Sequence, residues 1–562
     1  MFAVALIPDA ARGPLPIILI RTPFDAAREF SGAALPPALR ELGKDGYIFV
    51  TEDIRGRYHS AGQFVTNRAQ DDPRNPKGTN ESTDAYDTID WLVNNLPDNS
   101  GKVGVLGISY RGWLAGLAGV GAHPALKAIS PQAPTTDTWL GDDFFHQGAF
   151  RQTQGLAFSA FVESDRGLSI PDHDQYDFYL RYPTVDSLAK ATGVNLLQSW
   201  VGFRLHPAYD SYWQAKAMEN VLTRPEVPIL FVGGWWDAED ILGPELAYRT
   251  VEQHDPGNIN RIVLGPWVHG EWARPGGDSI GPIPLGAATA DFFRDSIQRP
   301  WFAYYLHGTG DGHFPEAWAF ETGENAWHRF DAWPPRDARP RNVYLRGHGT
   351  IAFDPPASDE PGISAYDSYI ADPAHPVPFE PRPITDDDWP TWLIRDQRFV
   401  GHDPGVLTWR SAPLTDDLTI AGDVVAHLFA STTGTDADWV VKLIDCYPDT
   451  VAGAPRQGGY QLIVNADILR GRYWKGFDHA TPIPPDSVIA FTIDMHQQLY
   501  RFRKGHRVMI QVQSSWFPLY DRNPQTFVPS IFDAKASDFT RQEHRIWHSA
   551  RYPSHLSVLV LP

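Results

Sequence analysis

Ser109 closes the apolar run of GKVGVLGISYRG, residues 101–112, and a serine there can carry acyl-transfer chemistry if an oriented base takes its proton. The run reads as a buried strand. Small residues around the serine permit a sharp turn, and the Gly- and Ala-rich stretch beyond it reads as a helix whose first N–H groups face charge developing at the hydroxyl. The generic elbow G-x-S-x-G is nevertheless not met, because position 111 is Arg and glycine comes one place late, at Gly112. A serine that merely caps a helix explains the bare stretch equally well. Partners decide between the two. A nucleophile on such an elbow needs a carboxylate and a histidine at the ends of later strands, in the order Ser, Asp, His; Asp237 follows VPILFVGGWW and His269 follows RIVLGPWV. Among 20 His and 68 acidic residues either match alone carries little, but the order and placement together favour a triad. Glu239 and Asp240 are alternative acids, and Asp237 is preferred as the first off its strand.

The elements that must position these residues follow from hydrophobic patterning. PIILIRTP, GYIFVTEDIRG, KVGVLGIS, EVPILFVGG and NINRIVLG are continuous apolar runs, as expected of parallel strands covered on both faces, with the helical TDAYDTIDWLVNNLP between them. The acidity over residues 84–90 reads as the solvated face of that helix. Residues 146–222 lack core-strand runs and read as a helical cap. After about residue 335 short segments of alternating or β-rich character, separated by Gly, Pro and Asp turns, predict an all-β domain of sandwich or jelly-roll type. The predicted organisation is an α/β domain over 1–145 and 223–334, a helical cap over 146–222 and a C-terminal all-β domain over 335–562.

Composition narrows the chemistry. The 562 residues carry a formal net charge of -20, which repels nucleic acid and anionic lipid, and no basic cluster offsets it. Neither nucleic acid nor membrane is an expected partner, and no apolar run reaches membrane-spanning length. The single cysteine, Cys446, excludes an intrachain disulfide and a thiolate-rich metal site. H-E-x-x-H is absent, TDADWV lacks the spacing of a calcium hand, and no Gly-rich dinucleotide loop occurs. No metal or cofactor is expected. The N-terminus has no basic, apolar signal sequence, so the chain as given is expected in the cytoplasm, or in the periplasm or medium if a signal precedes it.

GISYRG, HPALKAISPQAP, WLGDDFFHQGAFRQ, GGWWDAED and VLGPWVHG together resemble the α-amino-acid ester hydrolases, within the wider family of Xaa-Pro dipeptidyl-peptidases, cocaine esterase and glutaryl-cephalosporin acylases. That family is similar in using G-x-S-Y-x-G, which accounts for the late Gly112. The resemblance covers almost the whole chain and implies an α/β-hydrolase domain over 1–145 and 223–334, a helical cap inserted at 146–222, a C-terminal jelly roll over 335–562 that contains SSWFPLYDRNP, and a homo-oligomeric assembly. It places the nucleophile at Ser109, the acid at Asp237 and the base at His269, with the backbone N–H of Tyr110 as an oxyanion donor. It also implies that Asp143, Glu239 and Asp240 hold the α-ammonium group of the substrate. Read without the resemblance, Asp143 is a surface or cap residue beside Asp142.

One position departs from the pattern. Relatives carry R-T-P-Y-D where this chain has RTPFDA, so Phe24 lacks the hydroxyl that serves as second oxyanion donor, a loss of about 10²–10³ in turnover where nothing replaces it. Tyr58, in DIRGRYHS, is a candidate replacement, as is a water or backbone group. The implied activity is hydrolysis or acyl transfer of α-amino-acid esters and related amides, including β-lactams, through an acyl-enzyme. Xaa-Pro dipeptidyl-peptidase activity is the enzymatic alternative, and a carbohydrate- or protein-binding module the non-enzymatic one. Trp139, Phe145, Trp235 and Trp236 read equally as pocket lining or as packing.

Overall fold

The computed structural model describes residues 1–9, 13–30, 35–70, 78–164, 167–359, 364–385 and 390–562. The first part of the chain forms β1 (Ala3–Leu6), β2 (Leu15–Thr22), α1 (Ala26–Glu29), α2 (Pro37–Gly43), β3 (Ile48–Asp53), α3 (Glu81–Asn95), β4 (Asn99–Ser109), α4 (Tyr110–Leu117) and β5 (Leu126–Pro134). A short hairpin, β6 (Phe145–His146) and β7 (Ala149–Phe150), leads into the helices α5 (Gln152–Glu163), α6 (Gln175–Leu180), α7 (Val185–Thr192), α8 (Gln198–Leu205) and α9 (Ser211–Gln214). The chain then returns through β8 (Ile229–Gly234), α10 (Leu242–Glu252), β9 (Asn260–Gly265), the hairpin β10 (Ser279–Ile280) and β11 (Ile283–Pro284), β12 (Ala317–Glu321) and β13 (Ala326–Phe330).

Nine of these strands make one sheet in the order β1-β3-β2-β4-β5-β8-β9-β12-β13. From β3 to β12 every pairing is parallel, and β1 and β13 close the edges antiparallel. Every residue of β3, β8 and β9 is buried, which is why the sequence shows unbroken apolar runs there. Parallel strands bring their C-terminal ends to one edge, and Ser109, Asp237 and His269 all lie at or just beyond such ends. The acidity of α3 is not all solvated. Asp87 and Asp90 face water, but Glu81 and Asp84 are buried, Glu81 against Arg21 at 3.1 Å and Asp84 against Arg55 at 2.5 Å.

The rest of the chain is almost wholly antiparallel: β14 (Arg339–Arg346), β15 (Thr350–Ala352), β16 (Tyr366–Ala371), β17 (Val406–Arg410), β18 (Leu418–Thr432), β19 (Asp438–Cys446), β20 (Gln461–Arg470), β21 (Ile489–Phe502), β22 (Arg507–Gln513), β23 (Gln542–Trp547) and β24 (His555–Val560). The fold is thus an α/β-hydrolase with a C-terminal all-β domain. The two are joined by buried polar contacts. His146 Nδ1 lies 2.9 Å from Asp467, the Trp236 indole donates to the Ile463 carbonyl at 2.7 Å, and Phe150 N–H donates to Asp521 at 3.1 Å.

The acidic TDADWV segment is occupied by arginines. Asp438 and Asp521 share Arg470 at 2.9 and 2.8 Å, and Asp436 pairs with Arg472. An Arg470→Leu variant leaves two buried carboxylates without their cation, and we expect a loss of about 3–5 kcal/mol in denaturant unfolding. Arg204→Leu, which removes only the solvent-exposed pair with Asp533, should cost less than about 1 kcal/mol in the same measurement.

Candidate functional site

Ser109 sits between β4 and α4 with φ 62° and ψ −127°, a backbone state costly for any residue with a Cβ. Its surroundings explain the displaced glycine. A Cβ on Gly107 would lie 2.2 Å from the Arg111 carbonyl oxygen, and one on Gly112 would lie 2.4 Å from the Gln132 carbonyl oxygen of β5. Position 112 is therefore where α4 touches the sheet backbone. Position 111 faces away from that contact: Arg111 pairs with Glu29, and its guanidinium carbon lies 5.9 Å from the centre of the Phe24 ring. Tyr110 opens α4, so its N–H belongs to the first turn, where no intrahelical acceptor exists. Its ring is buried, and its hydroxyl accepts from Asn67 N–H at 2.9 Å.

His269 is brought to this edge by the turn after β9. Gly270, with φ 69°, backs onto Ile108, and a Cβ there would stand 3.9 Å from Ile108 Cγ2. The imidazole Nδ1 lies 2.9 Å from each carboxylate oxygen of Asp237, and Nε2 lies 3.1 Å from Glu239 Oε2. Burial by itself would lower the imidazole pKa, but the carboxylates of Asp237 and then Glu239 outweigh it and push it up to about 9. Asp237 is fully enclosed, and burial alone would raise its pKa. His269 and the amides of Glu239 and Asp240, which donate to Oδ1 at 2.9 and 3.0 Å, bring it below the usual value.

Asp143, Glu239 and Asp240 come together beside this imidazole. Asp143 adopts φ 47° and its N–H donates to the Glu239 carbonyl at 3.3 Å, so it is buried and turned inward rather than exposed beside Asp142. Burial, then Glu239, raises Asp143 to about 7; Asp240 is raised by burial, then by Asp143 and Asp142. Both oxygens of Asp240 and Oδ2 of Asp143 lack hydrogen-bond partners. Asp142 has a different task, accepting from Gly243 N–H at 2.9 Å and Asp137 N–H at 3.1 Å.

Two residues that sequence reasoning passed over hold the cluster. Gln154 of α5 donates to Glu239 Oε1 at 2.8 Å and to Asp143 Oδ1 at 3.3 Å. Arg151 donates to the carbonyls of Ala238 and Glu239, the latter at 3.4 Å. Both lie in or next to the FHQGAFRQ stretch, but an arginine that binds backbone carbonyls leaves no spacing pattern to read.

Phe24 is half-buried, 5.8 Å from the Phe161 ring in a stacked arrangement and 6.3 Å from Phe158, both on α5. Tyr58 is 47% exposed and carries the Arg57 guanidinium 4.7 Å from its ring centre. Trp139, Phe145, Trp235 and Trp236 are all buried. Trp139 sits among Phe145, Tyr209, Tyr473 and Phe477, while Trp235 donates to the Phe320 carbonyl at 2.9 Å. These four are packing residues.

The X-Pro dipeptidyl-peptidase (S15 family) model matches residues 1–271, and that of the X-Pro dipeptidyl-peptidase C-terminal non-catalytic domain matches residues 299–557. This chain belongs to the S15 family. It is 29% identical to the cocaine esterase of Rhodococcus sp. (strain MB1 Bresler), covering 100% of this chain and 96% of that one. A crystal structure of an aminopeptidase from the marine sediment archaeon Thaumarchaeota archaeon is 40% identical with a TM-score of 0.96, covering 100% of this chain and 94% of that one. An α-amino acid ester hydrolase structure is also 40% identical, with a TM-score of 0.95, over 99% of this chain and 94% of that one. The S15 protein described here is accordingly a serine hydrolase.

The elbow packing gives a direct test. Gly112→Ala forces α4 from β5, and we expect a lower melting temperature together with a large loss of esterase turnover. Arg111→Ala, which removes a half-exposed ion pair, should shift stability by less than about 1 kcal/mol in the same assays.

Proposed function

We propose that the protein hydrolyses esters, and related amides, of α-amino acids with a free α-ammonium group, using Ser109 as nucleophile, His269 as general base and Asp237 as its orienting acid. The observation that carries this reading is the cluster of Asp143, Glu239 and Asp240. Three carboxylates are buried beside the imidazole, and among the described residues no Lys or Arg stands within ion-pair distance of them. Gln154 bridges two of them with a neutral amide. Buried carboxylates in mutual repulsion favour a ligand that brings its own positive charge.

In the proposed cycle His269 Nε2 takes the Ser109 proton as Oγ attacks the substrate carbonyl, and Asp237 stabilises the imidazolium. The Tyr110 N–H, at the start of α4, faces the developing oxyanion. Collapse expels the alcohol or amine, which takes the proton from His269 and leaves an acyl-Ser109 ester. Water, deprotonated by His269, then attacks that ester; the free acid leaves and Ser109 recovers its proton. An amine in place of water, such as a β-lactam nucleus, would give a new amide.

The 40% identity to an α-amino acid ester hydrolase supports the ester reading. The equal identity to an aminopeptidase supports a second one, release of an N-terminal amino acid from a peptide, which needs the same ammonium anchor. Hydrolysis of a phenylalanine methyl ester, a phenylalanine amide and an Ala-Pro anilide separates ester, aminopeptidase and dipeptidyl-peptidase activity. We expect the amino ester to exceed its des-amino counterpart in kcat/KM by at least about tenfold, or 1.4 kcal/mol, with the preference lost in Asp143→Asn. Equal rates on both esters would defeat the ammonium reading. Fluorophosphonate labelling that persists in Ser109→Ala would defeat the assignment of the nucleophile.

The pH profile follows from the charges on His269. The base must be neutral, and in the free enzyme it is held up to about 9 by Asp237 and Glu239. On a des-amino ester kcat/KM should therefore rise with pH toward about 9. Removing a neighbouring negative charge in Glu239→Gln makes the imidazolium easier to deprotonate, so the same limb should move to lower pH. A bound ammonium acts in the same direction, and the kcat limb for an amino ester should lie below the kcat/KM limb for the des-amino one.

A further inference from the structure

The same pocket holds a donor set suited to a metal ion. His269, Glu239 and Asp240 each place one ligand atom within 4.8 Å of the others. Asp237 engages the imidazole Nδ1 at 2.9 Å and so turns Nε2 toward the carboxylates, where an ion would take the place of its proton; this is the carboxylate–histidine arrangement that raises the basicity of a metal-ligating imidazole. Asp240 is fully buried, and neither of its oxygens accepts a hydrogen bond. A carboxylate enclosed in this way lacks the donors that normally accompany burial. One imidazole nitrogen and two carboxylates match the preferences of zinc and cobalt(II), whereas calcium and magnesium favour oxygen donors alone. The other fully buried His and Asp group is closed to such a ligand, because Asp467 already accepts from Ile468 N–H at 2.7 Å and Gln147 at 3.1 Å, with His146 Nδ1 at 2.9 Å.

We propose that His269, Glu239 and Asp240 bind a divalent transition metal ion of the zinc class reversibly, and that the bound ion switches the hydrolase off. An ion on Nε2 takes the lone pair required for the Ser109 proton and fills the space assigned to the substrate ammonium. Metal and amino ester then exclude one another. The ion has no part in turnover. The inhibitory consequence rests on the proposed function, whereas the binding itself does not.

Binding is read in Ser109→Ala protein, which keeps all three ligands, by titrating chelator-treated protein with cobalt(II) and following its visible absorption, then displacing cobalt with zinc. One equivalent should bind. Asp240→Asn in that background should weaken binding at least tenfold with an unchanged circular dichroism spectrum, while Glu324→Gln, in the half-exposed group of Glu321, Glu324 and His328, should leave it unaltered. In the active enzyme zinc should inhibit, a chelator should restore activity, and rising amino-ester concentration should raise the zinc needed for half-inhibition. Absence of a cobalt band, or equal affinity in the Asp240→Asn protein, overturns the proposal even if the amino-ester preference holds. Cobalt binding that depends on Asp240 sustains it even if that preference fails.

Discussion

The arrangement depends on one carboxylate, that of Asp237. Its oxygens hold His269 Nδ1 at 2.9 Å, and Oδ1 also accepts the backbone N–H groups of Glu239 and Asp240. A single buried anion thus orients the imidazole and folds the turn that presents the other two carboxylates. Of the three acids near β8, Asp237 faces Nδ1, whereas Glu239 faces Nε2, the nitrogen that the proposed cycle uses.

Such a concentration of negative charge is unfavourable in a protein interior, and beyond the His269 imidazole the structure offsets it with neutral hydrogen bonds rather than with lysine or arginine ion pairs among the described residues. Arg151 is close to the cluster, yet its donors go to the Ala238 and Glu239 carbonyls. It therefore fixes the backbone of the turn, its donors on carbonyls rather than on the carboxylates. Gln154 supplies a neutral bridge from α5. With a lysine in its place the cluster would carry its own ammonium. Burial first, and neighbouring carboxylates second, raise both Asp143 and Asp240, Asp143 to about 7.

Much of this was legible before the fold was known, and for physical reasons. Parallel strands buried on both faces leave continuous apolar runs, so the ends of β4, β8 and β9 could be read, and Ser109, Asp237 and His269 lie at or just beyond them. The all-β texture of the C-terminal part was visible in its alternation, as in β18. What composition cannot convey is which charges are buried. Glu81 and Asp84 look like the solvated face of α3 but meet Arg21 and Arg55, and the acidic pair Asp436 and Asp438 meets Arg472 and Arg470. Partners so far away in sequence impose no spacing. For the same reason Trp235 and Trp236, which in the sequence read equally as pocket lining or as packing, could not be assigned before their indoles were seen to donate to the carbonyls of Phe320 and Ile463.

Phe24 ties the early loop to α5. A ring packed between Arg111 and the α5 residues Phe158 and Phe161 couples the early loop to the helix that also carries Gln154. Arg57 reinforces this junction by donating to the carbonyls of Pro23 and Val162. One helix thus links the ring at position 24 to the amide that bridges Asp143 and Glu239, so the early loop and the carboxylate cluster share a packing partner although they lie far apart in the sequence.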